Sequence, residues 1–493
     1  MSYLLAIDQG TTNSRAIIFD ALGNLINQHE ILLAQSFPND GWVEQDPEEM
    51  FHHSVECCRQ VLKKANLEAR QIAGIGISNQ RETTIIWDAN TGKPIYPAIV
   101  WQDRRTAAIC KSYTQHPINA SIREKTGLFF DPYFSATKIV WLLENVTGAR
   151  TRAERGELLF GTVDTYLLWK LTKGKSHLTD ITNASRTLLF NIHTQQWDAE
   201  ICQALNIPDI LLPKVLDNAA DFGYIDQSLL GAAIPIVGMA GDQHAATVGQ
   251  ACFHDGMVKV TYGTGSFMLL NTGTNVIQSR NQLISTIAYR VDGKIAYGLE
   301  GSIFSAGVIV KWLRDKLGLI ADASETERLA QEVPNNGQVY LVPAFTGLGA
   351  PYWDPHARAG FVGLTLDANR AHLVRAALES IGYQTRDLLN AMVSDSKLSL
   401  DKLRVDGGMV VNNWLLQSIA NILDVEVQRP TCIETSALGA AYLAGLQLGI
   451  YQSLDDIQQL WQMKQSFHPD MLASERESLY RKWKKAVKRL GGI

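Results

Sequence analysis

Tyr3-Leu4-Leu5-Ala6-Ile7-Asp8-Gln9-Gly10-Thr11-Thr12-Asn13-Ser14, residues 3–14, decides how the rest of the chain is read. Tyr3 to Ile7 is a short apolar run, as expected of a buried strand, and Asp8 to Ser14 is dense in turn formers. Ala16-Ile17-Ile18-Phe19 is the returning strand. Asp20-Ala21-Leu22-Gly23-Asn24 is the next turn, and a third strand is expected around Leu25 to Gln28. The same grammar recurs later: a strand from Gly256 to Val260, a tight turn over Thr261-Tyr262-Gly263-Thr264-Gly265-Ser266, and a strand from Phe267 to Leu270. One strand–Gly/Thr turn–strand unit in each half predicts two related domains facing each other across a cleft. Between them, strand-like segments (Ile72–Ile77, Thr83–Trp87) alternate with helical apolar spacing (Lys138–Glu144, Leu373–Leu389), the pattern of an α/β protein with mixed sheets flanked by helices. The boundary falls near residue 250, giving domains 1–250 and 251–493.

The 493 residues suit two or three domains. With 46% apolar and 19% charged residues there is ample core and no disordered or fibrous signature. A net charge of −5 argues against nucleic acid as the main partner. The six cysteines form no C-x-x-C pair, so neither a disulfide framework nor a cysteine zinc site is indicated. The first apolar stretch is cut short by Asp8 and lacks a basic flank, so a cytoplasmic protein with reduced thiols is the expectation. The uncharged run Thr435–Leu454 reads as a buried small-residue helix rather than a membrane span. Near the C-terminus, Trp483, Ala486, Val487 and Leu490 form a docking stripe between the cations Arg481, Lys482, Lys484, Lys485, Lys488 and Arg489.

Two familiar nucleotide motifs are missing. Gly174-Lys175-Ser176 ends like a Walker A loop, but Trp169 stands where its first glycine belongs, and no G-x-G-x-x-G is present. The Gly/Thr turns at 10–13 and 263–266 take their place as a phosphate clamp. Glycine lets backbone N–H groups approach phosphate oxygens, and threonine hydroxyls add donors.

Leu5 to Arg15 resembles the first phosphate motif of the sugar kinase/actin/heat-shock chaperone superfamily, Asp406-Gly407-Gly408 its adenosine motif, and Ala437-Leu438-Gly439-Ala440-Ala441 its second connecting helix. Within it, Ser78-Asn79-Gln80-Arg81-Glu82-Thr83-Thr84, Asp131-Pro132-Tyr133-Phe134-Ser135, Gly241-Asp242-Gln243, Phe345 to Pro355 and Tyr383 to Asp387 are similar to the FGGY carbohydrate kinases, and among these to the glycerol kinases. The likeness spans essentially the whole chain. It implies two ribonuclease-H-like (actin-like ATPase) domains with the active site in the interdomain cleft, which closes to keep water from the bound ATP. The implied reaction is ATP-dependent phosphorylation of glycerol to sn-glycerol 3-phosphate, with Mg²⁺, in a homo-oligomer (dimer or tetramer) that inserts in no membrane. The rivals are a kinase of another polyol or ketose and an actin- or chaperone-like ATPase switch. The switch leaves Arg81, Glu82 and Asp242 without a purpose.

The resemblance also implies roles. Asp242 is the base for the glycerol hydroxyl, although an aspartate there also suits a helix cap. Arg81, Glu82, Tyr133 and Gln243 complete the polar set around glycerol, with Trp101 and Phe267 against its carbons. For Arg81-Glu82, the competing reading is an ordinary surface ion pair. Thr11, Thr12, Asn13 and Arg15 face the ATP phosphates from one side and Thr264 from the other. Asp8 holds Mg²⁺ through water. Gly307, Gly408 and Asn412 line the adenosine site. Lys311 belongs to the nucleotide pocket, where many relatives have glutamine. His244 likewise replaces a common glutamine. It is read as a structural histidine, because positions i and i+2 of a helix point to different faces. Some bacterial members are inhibited by fructose 1,6-bisphosphate through a basic loop before the strand leading to the catalytic aspartate. Here Ser228 to Ile234 carries no cation, and Val215 to Val258 contains no lysine or arginine, so such inhibition is expected to be weak or absent.

Overall fold

A computed structural model describes residues 2–352, 354 and 356–491. Trp353 and Pro355 of the Phe345–Pro355 segment lie outside the described residues. The first sheet is built from β1 (Tyr3–Gln9), β2 (Asn13–Asp20), β3 (Leu25–Leu32), β4 (Ile72–Asn79) and β5 (Ile236–Gly241). Its spatial order is β5-β4-β1-β2-β3: β1, β2 and β3 are antiparallel neighbours, while β4 and β5 run parallel to β1. The second sheet contains β6 (Val258–Tyr262), β7 (Ser266–Gly273), β8 (Ile284–Val291), β9 (Lys294–Ile303), β10 (Lys402–Asp406), β11 (Glu426–Pro430) and β12 (Met463–Phe467). Its order is β8-β9-β7-β6-β10-β11-β12. Without β8 and β12 the two sheets share one plan: two strands joined by the Gly/Thr turn, a third antiparallel strand outside the second, and two parallel strands beyond the first. The weak repeat in the sequence is therefore a repeat of topology.

Strand β1 is apolar on both faces because each face meets its own core. Leu5 and Ile7 pack with Met50 and Val55 of α1 (Pro47–Ala65), while Leu4 and Ala6 pack with Ala441 and Ala444 on the opposite side. Helix α1 starts where Asp46 caps the Glu48 amide and Pro47 takes the first turn. Beyond β5 runs α2 (Asp242–Gly249), α3 (Gly307–Asp315) follows β9, and α4 (Thr435–Gln447) and α5 (Ala473–Leu490) come later.

The uncharged run begins with α4, whose residues 437–445 are all buried. A Cβ on Gly439 would lie 1.8 Å from the Ala245 carbonyl oxygen, and one on Gly249 would lie 2.1 Å from that of Thr435, so α2 and α4 cross backbone against backbone. On the sheet side, Gly76 and Gly238 admit the same helix beside Ala440 and Ala444. In α5, Trp483, Ala486 and Val487 are buried as the stripe predicts, with Leu490 partly so, and Trp483 stacks on Tyr383 at 5.4 Å. Some bounds differ from the sequence reading. The expected strand Thr83–Trp87 is Ile85–Asp88, and the helix expected over Leu373–Leu389 runs from Arg370 to Ser396, capped by Asn369. Among the described residues no helix is long and apolar enough to cross a membrane.

Candidate active site

Three parallel strands end at one edge of the first sheet. Gln9 and Gly241 both sit in register with Asn79, so the turn after β1, the Gln80–Thr84 segment after β4 and Asp242 after β5 emerge side by side. In the second sheet Thr261 pairs with Asp406, which brings the Gly263–Gly265 turn beside Gly407-Gly408. Ligand sites of α/β sheets form at such carboxyl ends.

The residues expected around the polyol come together. Arg81 Nη2 donates to the Tyr133 hydroxyl at 3.0 Å, and Nε lies 3.4 Å from Asp242 Oδ1. The guanidinium carbon stands 5.4 Å from the centre of the Phe267 ring. Trp101 meets Tyr133 and Phe267 edge to face, at 5.6 and 6.1 Å. Burial pushes the Tyr133 phenol well above its ordinary value, so it is a neutral hydroxyl. Arg81 is 3% exposed and Glu82 1%, which overturns the surface-pair reading: these neighbours sit beneath the pocket. Glu82 Oε1 accepts from Arg186 Nε at 2.7 Å, and Glu300 bridges Arg81 to Arg186.

Asp242 is the first residue of α2, and its Oδ1 accepts from the Gln243 amide at 2.8 Å. The capping contact leaves the Asp242 carboxylate at the same edge as Arg81. Gln243 Nε2 donates to Oδ2 at 3.1 Å, and Lys259 Nζ fixes that amide by donating to Gln243 Oε1 at 2.5 Å. Asp242's side chain keeps 31% of its surface open. Burial raises its pKa, and Arg81 opposes the rise without cancelling it. His244 is fully buried; its Nε2 lies 3.3 Å from Thr286 Oγ1, and burial with Arg81 nearby drives its pKa well below the usual value. It is neutral and structural.

The two Gly/Thr turns are braced differently. Trp101 Nε1 donates to Thr11 Oγ1 at 2.9 Å, Gln45 Nε2 to the Thr11 carbonyl at 2.6 Å, and Gln80 Nε2 to the Gly10 carbonyl at 3.2 Å. Asn13 Nδ2 donates to Glu30, and Thr12 is exposed. Asp8, at the end of β1, pairs with Arg15, which also reaches Glu434 at 2.6 Å; the pairing with Asp8 pushes the Arg15 pKa up. The second turn is held by backbone: the amides of Ala306 and Val308 donate to the Thr264 carbonyl at 3.1 and 3.0 Å, and that of Gly307 to Gly263 at 2.9 Å. Gly407, with φ at +89°, lets Gly408 follow the same edge. Asn412 caps the helix Asn413–Leu423 through the Leu415 amide, and its Nδ2 donates to Thr326. Lys311 is exposed on α3.

Four charged residues of this region were not singled out from sequence: Arg186, Glu300, Lys259 and Lys138. Lys138 Nζ donates to the carbonyls of Pro132, Tyr133 and Phe134, the latter two at 2.9 and 3.2 Å, so it clamps the loop that carries Tyr133. Burial pulls its amine down to about 8. Each is a lone charge in an otherwise buried stretch, a pattern that normally demands a partner.

Comparison with known proteins shows the family. The model of the FGGY family of carbohydrate kinases, N-terminal domain, matches residues 3–249, and its C-terminal counterpart matches residues 258–448. The chain is 57% identical over 488 residues to a glycerol kinase of Marinomonas sp. (strain MWYL1), with 99% of each chain covered. It is 57% identical over 489 residues to a glycerol kinase of Coxiella burnetii (strain Dugway 5J108-111), covering 99% of this chain and 97% of the relative. The crystal structure of Plasmodium falciparum glycerol kinase with ADP superposes with a TM-score of 0.92 at 39% identity, covering 99% of this chain and 98% of that one.

Proposed function

The chain belongs to the FGGY family of carbohydrate kinases, and on that premise we propose that it transfers the γ-phosphoryl group of ATP to glycerol, giving sn-glycerol 3-phosphate. One observation carries the reading: Asp242 stands beside Arg81, Tyr133, Trp101 and Phe267 at the edge where the first phosphate turn also ends. Phosphoryl transfer asks for in-line positioning and charge stabilisation. Arg81 and Tyr133 orient the hydroxyls of glycerol, while Trp101 and Phe267 shield its carbons. Asp242 accepts the proton of the attacking hydroxyl at a carboxylate oxygen, and its raised pKa makes it a better acceptor than a free aspartate. Backbone amides and hydroxyls of Thr11, Thr12, Asn13 and Thr264 take the phosphates, with Arg15 behind the first turn. Gly307, Gly408, Asn412 and Lys311 line the adenosine side.

Mg²⁺ binds through one or two carboxylates plus phosphate oxygens and keeps several waters. Asp8, a single carboxylate beside the first turn, fits that demand, and among the described residues no cluster of three or more histidine, cysteine or acidic side chains offers a protein cage. Held there with ATP, the metal neutralises phosphate charge. The chain divides near residue 250: residues 1–250 hold polyol and phosphates, and residues 251–493 hold adenosine. The active enzyme is a cytoplasmic homo-oligomer. ATP turnover with and without glycerol tests the reading. ADP should form only with glycerol, and a panel of other polyols and ketoses should give far lower kcat/KM. Turnover indifferent to glycerol would overturn it.

A further inference from the structure

Four charges close a ring beneath the polyol residues. Arg81 Nη1 donates to Glu300 Oε2, Glu300 Oε1 accepts from Arg186 Nη2 at 3.0 Å, Arg186 Nε donates to Glu82 Oε1 at 2.7 Å, and that oxygen lies 3.7 Å from Arg81 Nε. None of the four is more than 3% exposed. The ring spans both halves of the molecule: Arg81 and Glu82 follow β4, Arg186 follows the short helix Ile181–Ala184, and Glu300 stands on β9, the strand that leads to Gly307. Stripping two cations and two anions of water is costly, and apolar packing of the same volume commonly stabilises as well or better. Stability alone is therefore a poor reason for the ring.

Its geometry supplies a better one. With Nη1 anchored on Glu300, the Arg81 fork presents Nη2 to Tyr133 and Nε to Asp242. Arg186 also lies under the Tyr133 ring, 5.6 Å from its centre. We infer that Glu300 and Arg186 are positioning residues for the polyol, holding Arg81 and Glu82 in register with Asp242; this rests on the function proposed above. Without Glu300, the nearest carboxylates left to Arg81 are those of Asp242 and Glu82, at 3.4 and 3.7 Å, so the guanidinium turns toward the proton-accepting carboxylate and away from the substrate.

The test compares wild type with Glu300→Gln, Glu300→Asp and Arg186→Lys, measuring KM for glycerol, KM for ATP, discrimination between glycerol and propane-1,2-diol, and ADP binding by calorimetry. Glu300→Gln and Arg186→Lys should raise KM for glycerol about 10–100-fold, the range of one charge-assisted hydrogen bond, and narrow the preference over the diol. ADP affinity and KM for ATP should stay within about threefold, and Glu300→Asp should recover part of the loss. Both KM values rising together, loss of ADP binding in every variant, or unchanged glycerol kinetics would each overturn the inference while leaving the proposed reaction intact. A wild-type protein without glycerol-dependent turnover would instead overturn the reaction and the inference with it.

Discussion

The two Gly/Thr turns occupy equivalent places in two sheets of equivalent plan, yet they are built into the molecule differently. The turn at 10–13 is braced by side chains, and one of them, Trp101, also walls the polyol pocket. The turn at 263–266 is braced by backbone amides at the start of α3. The first turn is thus tied by a side chain to the cluster around Arg81, while the second reaches that cluster through Phe267, the residue that follows it. A duplicated scaffold has kept its strand order and diverged in what steadies its loops.

The largest effect expected is at the floor between the turns. Asp242→Asn keeps shape and hydrogen bonding but removes the proton acceptor, so glycerol-dependent turnover should fall by roughly 10²–10⁴, with ADP binding retained. Turnover within tenfold of wild type would put the acceptor elsewhere. Because Asp242 must be ionised to act and its pKa is raised, the acid limb of kcat/KM should set in above the usual aspartate value of about 4. A profile flat down to that pH would contradict the burial argument.

The next two variants bear on the turns themselves. In Gly307→Ala the new Cβ would fall 2.6 Å from the Gly263 carbonyl oxygen, a backbone atom that cannot step aside. KM for ATP should rise about tenfold or more, with KM for glycerol nearly unchanged. Trp101→Phe keeps an aromatic wall and removes only the donor to Thr11. The loss of one neutral hydrogen bond, about 0.5–1.5 kcal/mol, should raise both KM values by about two- to tenfold. If Trp101→Phe moved the glycerol KM alone, the hydrogen bond to Thr11 would have no part in holding the nucleotide. The smallest effect concerns fructose 1,6-bisphosphate. The fold brings two cations to the Gln227–Leu230 region, but Arg59 Nε is spent on the Leu229 carbonyl at 3.0 Å and Lys173 on Asp226 at 3.0 Å. Millimolar bisphosphate should leave turnover unchanged; saturable inhibition would show that these cations can be recruited.

What the sequence made legible was local. The strand–turn–strand units announce themselves within a dozen residues, and Asp242, Arg81 and Tyr133 stand in short ordered motifs. The ring that holds Arg81 is not local: Arg81 and Glu300 are 219 residues apart, and only the meeting of β9 with the end of β4 makes them neighbours. Glu82 showed the same limit. Its motif placed it among the residues around the polyol, whereas the partner of its carboxylate at 2.7 Å is Arg186, 104 residues away. Lys138 and Lys259 did carry a signal, a single charge inside an apolar helix or strand, but the carbonyls and the amide that answer them come from loop and helix geometry.

The bare crossing of α2 and α4 has a mechanical meaning. Helices that interlock through large side chains must jump ridges to change angle, but Gly439 against Ala245 and Gly249 against Thr435 present no ridges. Sliding is the more hindered motion, since one step brings a bulkier neighbour, Leu438 or Val248, onto the contact. Asp242 lies three residues from Ala245, about 4.5 Å along the axis at 1.5 Å per residue. A swivel of about 10° would carry the carboxylate less than about 1 Å, whereas a group about 20 Å from the bearing would travel about 3.5 Å. Any swivel about this crossing would therefore move Asp242 least and the more distant groups most.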